Sequence, residues 1–238
     1  MKRVYLFLCV FFSLSLYAQT ESAQFAIVKD SIRGSAKLYE RMADEGQVKA
    51  TMPNGSVLFL YQADRDVLPW RKADYYTATG DIESGYVNSN FTEDVRDQEL
   101  IEVERLSAHG NISFRNDSIR VVVSTSNVAA GDRTIKEGAD GRRMVGTKQA
   151  MGVVNSFPTR RYQSIVVTVK GRSTTIPRSL FDYLFEPILE NTSVFYDPIS
   201  RMVYISATNG SGSAVYNVLW SVDNRGKSQV YVRSGQLF

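Results

Sequence analysis

The chain has 238 residues, with 28 basic and 25 acidic side chains, one histidine and one cysteine. A net charge of +3, part of it from Lys2 and Arg3, leaves no basic stripe that could follow a phosphate backbone, so no nucleic-acid partner is expected. One histidine and one cysteine cannot assemble a zinc site or a thiol redox pair, and no phosphate-cradling glycine loop of standard spacing is present, so neither metal nor cofactor is expected.

Lys2 and Arg3 precede an apolar run, Val4 to Leu16, which has the length of a secretory signal core and is too short to span a bilayer. Ala18 offers a small residue for cleavage, which sets residues 1–18 aside as a signal peptide and Gln19 as the mature start, with Ala23 as the fallback cleavage position. The expectation is an exported protein, periplasmic or extracellular, with no stable membrane insertion after cleavage. Cys9 lies inside the apolar run without the small-residue pattern of a lipidated cysteine. The mature chain therefore has no disulfide, and its stability must come from core burial.

Strand patterns fill the rest. Val57 to Tyr61 is a short apolar run, and Ser118 to Ser126 is rich in β-branched residues. Ser164 to Lys170, Gly171-Arg172 and Ser173 to Ile176 read as a hairpin. Thr192 to Tyr196 and Arg201 to Ala207 read as a second hairpin around Asp197-Pro198. Asn209 to Ser213 reads as a flexible turn before Ala214 to Val222, and Gln229 to Arg233 closes the set. The best helix candidate is Pro177 to Phe185, with proline at its first position and Leu180, Phe181 and Leu184 on one face. Glu186-Pro187 ends it. Tyr39 to Ala43 is a candidate short turn, and the glycine- and charge-rich stretch Ala129 to Asn155 reads as a long loop. The pairs Arg142-Arg143 and Arg160-Arg161 read as exposed loop charges. The polar patch Asn88 to Asp97 is the best boundary. The fold class is mostly β: a small barrel followed by a larger antiparallel β domain with one short helix.

Phe25 to Phe91 resembles a bacterial SH3-like domain. Ala26 to Asp30 resembles the opening strand, and Lys37 to Arg41 occupies the place of the family's short Val-Arg motif. Asn54-Gly55 before Val57, Asp66 to Ala73 around Trp70, and Gly85 to Ser89 resemble the family's later steps. The resemblance implies a small barrel at 25–91 that touches peptidoglycan peptides or a protein partner. Residues 92–238 resemble a carboxy-terminal β region of uncharacterised bacterial exported proteins. That second likeness rests on Arg161 to Ile165, Ile176-Pro177, Leu184 to Pro187, Val194 to Asp197, Val203 to Ser206 and Val215 to Trp220, and it implies architecture without an activity.

Candidate chemistry is thin. His109 reads as a solvated loop residue, and there is no serine elbow for it to serve. Asp64, Asp66, Glu99, Glu102 and Glu104 are the carboxylates from which a hydrolase pair would have to be drawn. No catalytic residue is assigned. The expected function is non-catalytic binding at the cell envelope, to a cell-wall peptide or an envelope protein; the alternatives are inhibition of a periplasmic enzyme and a carboxylate-based hydrolase. Ligand-contacting candidates are the aromatic rings Tyr61, Trp70, Tyr75, Tyr76 and Tyr86, since rings give large contact area at low entropy cost. Trp70 and Tyr86 can equally fill a small core, and Gly85 marks a close backbone approach.

Overall fold

The computed structural model describes residues 23–42, 46–108 and 110–235. The segment expected to be a signal peptide, residues 1–18, and His109 lie outside the described residues. The chain folds into three antiparallel sheets and one small one, with no helix longer than a single 3₁₀ turn among the described residues.

The first sheet uses β1 (Gln24–Val28), β2 (Ser35–Tyr39), β3 (Val48–Pro53), β4 (Val57–Leu60), β5 (Trp70–Tyr76), β6 (Ile82–Asn88) and β7 (Thr92–Asp94). Their order is β3-β2-β6-β5-β4-β1-β7, so the sheet curls but keeps two edges where a closed barrel would have none. It runs to Asp94, past the expected limit at Phe91, because β7 pairs with β1. One face wraps an inner cluster of Ala26, Val28, Leu38, Met52, Leu58, Leu60, Ala73 and Val87. Gly85 has the role read for it: a Cβ there would lie 2.6 Å from the Tyr39 carbonyl oxygen and 2.8 Å from Leu38 Cγ. Only glycine lets β6 cross β2 this closely. Tyr39 accordingly ends a strand, where a turn was expected, because it pairs with Tyr86.

The next strands are β8 (Glu99–Ile101), β9 (Val103–Ser107), β10 (Asn111–Arg115) and β11 (Ile119–Asn127). Then come β12 (Ile135–Glu137), β13 (Arg143–Val145), β14 (Lys148–Gln149), β15 (Arg160–Val169) and β16 (Arg172–Thr175). The last are β17 (Thr192–Asp197), β18 (Met202–Asn209), β19 (Tyr216–Val222) and β20 (Ser228–Ser234). The middle sheet has the order β20-β19-β18-β17-β8, and the third sheet β16-β15-β11-β10-β9. Between these two lies the largest core, which includes Phe114, Val121, Val123, Tyr162, Ile165, Phe181, Ile205, Val218 and Trp220. The other face of the middle sheet gives Phe195, Tyr204, Leu219 and Tyr231 to a cluster shared with Ala23, Phe25, Ile27, Val57, Phe59 and Val95. All seven residues of β19 are buried as a result, which is why its sequence reads as an unbroken run and not as an alternation.

Several local readings are corrected. Pro177 to Phe185 is not a helix: only Arg178–Leu180 makes a 3₁₀ turn. The backbone then bonds outward, Met151 N donating to the Tyr183 carbonyl and Phe185 N to the Met151 carbonyl. This frees Phe181, Leu184 and Phe185 to enter the core together. Ala129 to Asn155 contains the small sheet β12-β13-β14, fixed by Ile135, Ala150 and Val153 against Phe185. Arg160 and Arg161 belong to β15, and Arg161 Nη1 meets Asp132 Oδ2 at 2.6 Å. Asn209, expected to open a flexible turn, is fully buried. Its Nδ2 donates to the Tyr162 hydroxyl at 2.9 Å, and its Oδ1 accepts from Ile188 N at 2.8 Å. Both expected hairpins form, the first turning through Lys170 and Gly171 at φ 47° and 81°.

Because the shared cluster joins the sheets, the whole chain is expected to unfold in one calorimetric transition. Leu219→Ala should destabilise it by about 2–5 kcal/mol. Two separated transitions, or one spectroscopic signal melting well before another, would contradict this coupling.

Acid sensitivity follows from the turns. Backbone amides of Arg33 and Ile32 hold Asp30 below the ordinary carboxylate range, and the Thr134 hydroxyl and amide do the same for Asp132. Burial works against Asp197, but the Ser200 hydroxyl and the amides of Ile199 and Ser200 outweigh it. A folded pKa below the unfolded one stabilises the fold above the unfolded value and stops doing so as pH falls through the folded one. Thermal melts should be flat from neutrality to about pH 5 and fall below about pH 4. A melting temperature that rises on acidification would refute the assignment.

Candidate binding surface

The face of the first sheet turned away from its inner cluster carries most of the aromatic candidates. Cross-strand pairing aligns Trp70 with Asn88, Lys72 with Tyr86, Asp74 with Ser84 and Tyr76 with Ile82. Phe59 pairs with both Asp74 and Phe25, and Tyr39 pairs with Tyr86. Strand alternation therefore places Phe25, Phe59, Tyr61, Trp70, Tyr76, Tyr86 and Tyr39 on one face. Tyr75 points the other way and packs against the inner cluster.

The middle sheet covers half of this face. Tyr76 stacks edge-on against Tyr231 with centroids 5.2 Å apart, and its hydroxyl donates to the Val232 carbonyl at 3.1 Å. Burial raises its pKa, so the phenol stays protonated and serves as a donor. Tyr61 is held at the border. Its hydroxyl donates to Asp74 Oδ2 at 2.9 Å and accepts from Arg233 Nη2. Asp74 is buried and also accepts from Ser84 Oγ at 2.5 Å, with Arg233 Nη1 at 3.3 Å. Arg71, buried beneath, donates through Nε and Nη2 to the Tyr61 carbonyl. The node is a polar clamp between the two sheets, with both oxygens of Asp74 engaged in it.

The other half of the face stays open. Trp70 and Tyr39 meet edge-to-face at 5.4 Å, with Tyr86 beside them in register, all three half-buried. Lys72 Nζ lies 5.0 Å from the Tyr61 ring centre, and Lys49 Nζ donates to the Ser84 carbonyl at 2.6 Å. The result is an aromatic patch with a cationic rim. Of the five candidates, Trp70 and Tyr86 stand in the patch, Tyr61 forms its border, Tyr76 is taken by the sheet contact, and Tyr75 belongs to the inner cluster. Tyr39, Lys72 and Lys49 are additions to the ligand-contacting candidates; from the sequence, Tyr39 is expected only in a turn and at the Val-Arg motif's position. The alternation of Lys37 and Tyr39 against buried Ala36 and Leu38 was the available signal.

A cleft of about 200 Å³ lies where the two sheets diverge, lined by Phe25, Phe59, Arg96, Ser193, Ser206 and Asn217 among others. This is below the range of about 300–1,000 Å³ typical of drug-sized ligand sites. Three of the five carboxylates considered for hydrolysis are otherwise engaged: Asp64 accepts from the Asp66 amide, Glu99 from Asn116, and Glu104 from Ser113, Arg115 and Arg120. The Ser113 hydroxyl, aided by the arginines, holds Glu104 below the ordinary range, opposite to what a general acid requires. No group of three or more metal-ligating side chains occurs among the described residues.

Comparison with protein-family models, curated proteins and solved structures finds no match to this chain.

Asp74→Ala should destabilise the protein by about 1.5–3 kcal/mol, since it strips partners from Tyr61, Ser84 and Arg233. Tyr76→Phe, which loses one hydrogen bond, should cost about 1 kcal/mol. Equal losses in chemical denaturation would show that Asp74 is not the hub of the contact.

Proposed function

We propose that the protein works by binding, without turnover of its own, at the bacterial cell envelope, and that its ligand docks on the Trp70–Tyr39–Tyr86 patch. The observation that carries this reading is the division of one aromatic face. Half of its rings are consumed by the middle sheet, while Trp70, Tyr39 and Tyr86 remain as a half-buried cluster rimmed by Lys72 and Lys49. Rings fixed by edge-to-face packing present apolar area at little entropy cost, and the ammonium rim suits a peptide bearing carboxylates. The export signal and the SH3-like resemblance point to the same compartment and ligand, a cell-wall peptide or an envelope protein.

Sedimentation of the mature protein with purified sacculi tests the proposal. Tyr86→Ala and Lys72→Ala should each weaken binding about five-fold or more, the effect of losing a little over 1 kcal/mol at a hot spot, while Tyr76→Phe binds as wild type. Wild-type protein left in the supernatant would refute the cell-wall ligand. Co-purification with one discrete enzyme would favour the inhibitor reading, and release of soluble wall fragments would refute binding without turnover.

A further inference from the structure

The third sheet has a second open face that the proposed function does not use. It is the side of β9, β10 and β11 turned away from the large core. Register places Arg115 directly opposite Arg120, Ser113 opposite Val122 and Asn111 opposite Ser124. On the other side, Arg105 stands opposite Ser113 and Ser107 opposite Asn111. Like charges directly opposite each other destabilise a strand pair, yet here two arginines are opposed and a third lies one strand away.

One carboxylate answers two of the three. Glu104 is brought to this face by the register shift between Ser113 and Phe114. It accepts from Ser113 Oγ at 3.0 Å, Arg120 Nε at 3.2 Å and Arg115 Nη1 at 3.4 Å. The Arg115 and Arg120 side chains remain 62% and 53% exposed. Arg105 has no carboxylate partner among the described residues. Glu102, just before β9, whose carbonyl accepts from the Arg115 amide, and Asp117, in the turn between β10 and β11, are the other acids here, and neither makes an ion pair with these arginines among the described residues. Arg115 and Arg120 thus share one carboxylate while Arg105 has none, so the guanidinium charge on this face exceeds what these ion pairs consume.

The same face is hollowed. A shallow bowl of about 280 Å³ is lined by Arg105, Ser107, Asn111, Ser113, Arg120 and Ser124, with Val122 at its floor. Arginines occupy one end and hydroxyl and amide groups the other. A guanidinium fork matches the paired oxygens of a carboxylate, phosphate or sulfate, and serine and asparagine side chains match the donors and acceptors of a polyol. No aromatic ring lines the bowl for base stacking, which disfavours single-stranded nucleic acid.

We propose that this bowl binds an acidic sugar, with Arg105 and Arg120 on its oxyanion and Asn111 and Ser124 on its hydroxyls. The inference is independent of the Trp70 patch and uses none of its residues.

Calorimetric titration of the full mature chain at low ionic strength tests it, with glucose 6-phosphate, galacturonate, inorganic phosphate and neutral glucose as probes. The two acidic sugars should bind saturably and at least about ten-fold more tightly than inorganic phosphate, with glucose silent; that ratio is about 1.4 kcal/mol. Arg120→Gln and Arg105→Gln should each weaken acidic-sugar binding about ten-fold. Their melting temperatures without ligand should not fall below that of wild type, because Arg105 has no ion pair to lose and the exposed Arg120–Glu104 pair contributes little while Glu104 keeps Ser113 and Arg115. Phosphate binding as tightly as the sugars, glucose binding as well as they do, or both variants binding like wild type would overturn the proposal. A lower melting temperature in Arg120→Gln would overturn its premise of unneeded charge.

Discussion

The burial of β19 on both faces is the constraint from which the rest of the molecule follows. Tyr216, Val218, Trp220 and Val222 enter the core shared with the third sheet, while Leu219 faces the first. A strand with apolar groups on both sides needs a layer on each. The middle sheet is therefore inside the protein, and the first and third sheets are obliged to cover it. With no cysteine outside the apolar amino-terminal run, this three-layer burial is the main source of cohesion.

That arrangement decides which surfaces remain free. The first sheet is wider than the contact it makes, so its aromatic face divides into a covered half around Phe25, Phe59 and Tyr76 and an open half around Trp70. Asp74 and Arg233 mark the border. Burying a carboxylate is costly unless hydrogen bonds and a counter-charge answer it; Tyr61, Ser84 and Arg233 supply these together. The clamp also fixes Tyr61, whose ring underlies Lys72. Packing of the two units and presentation of the patch are thus physically linked. The third sheet turns its apolar side to the middle layer, which leaves its polar, arginine-bearing side in water.

The sequence by itself determined the composition of layers: mostly strands, short turns, and no long helix. Val, Ile, Thr and Tyr in runs punctuated by Gly, Asn and Asp encode this locally, and hairpins such as Lys170-Gly171 need only their own turn residues. Gly85 was legible for the same reason, since a glycine within a strand pattern marks a close approach. Pro177 to Phe185 misled because its apolar spacing of three and four fits a helix, yet those side chains are equally well buried by an irregular segment whose backbone bonds to Met151 and Arg160. Tertiary structure alone decided the rest. Alternation says that Tyr75 and Tyr76 face opposite ways, but not which face another sheet will cover. Whether a ring is core, contact or open patch depends on the partner of its face, and that partner lies more than a hundred residues away, at Tyr231 and Val232.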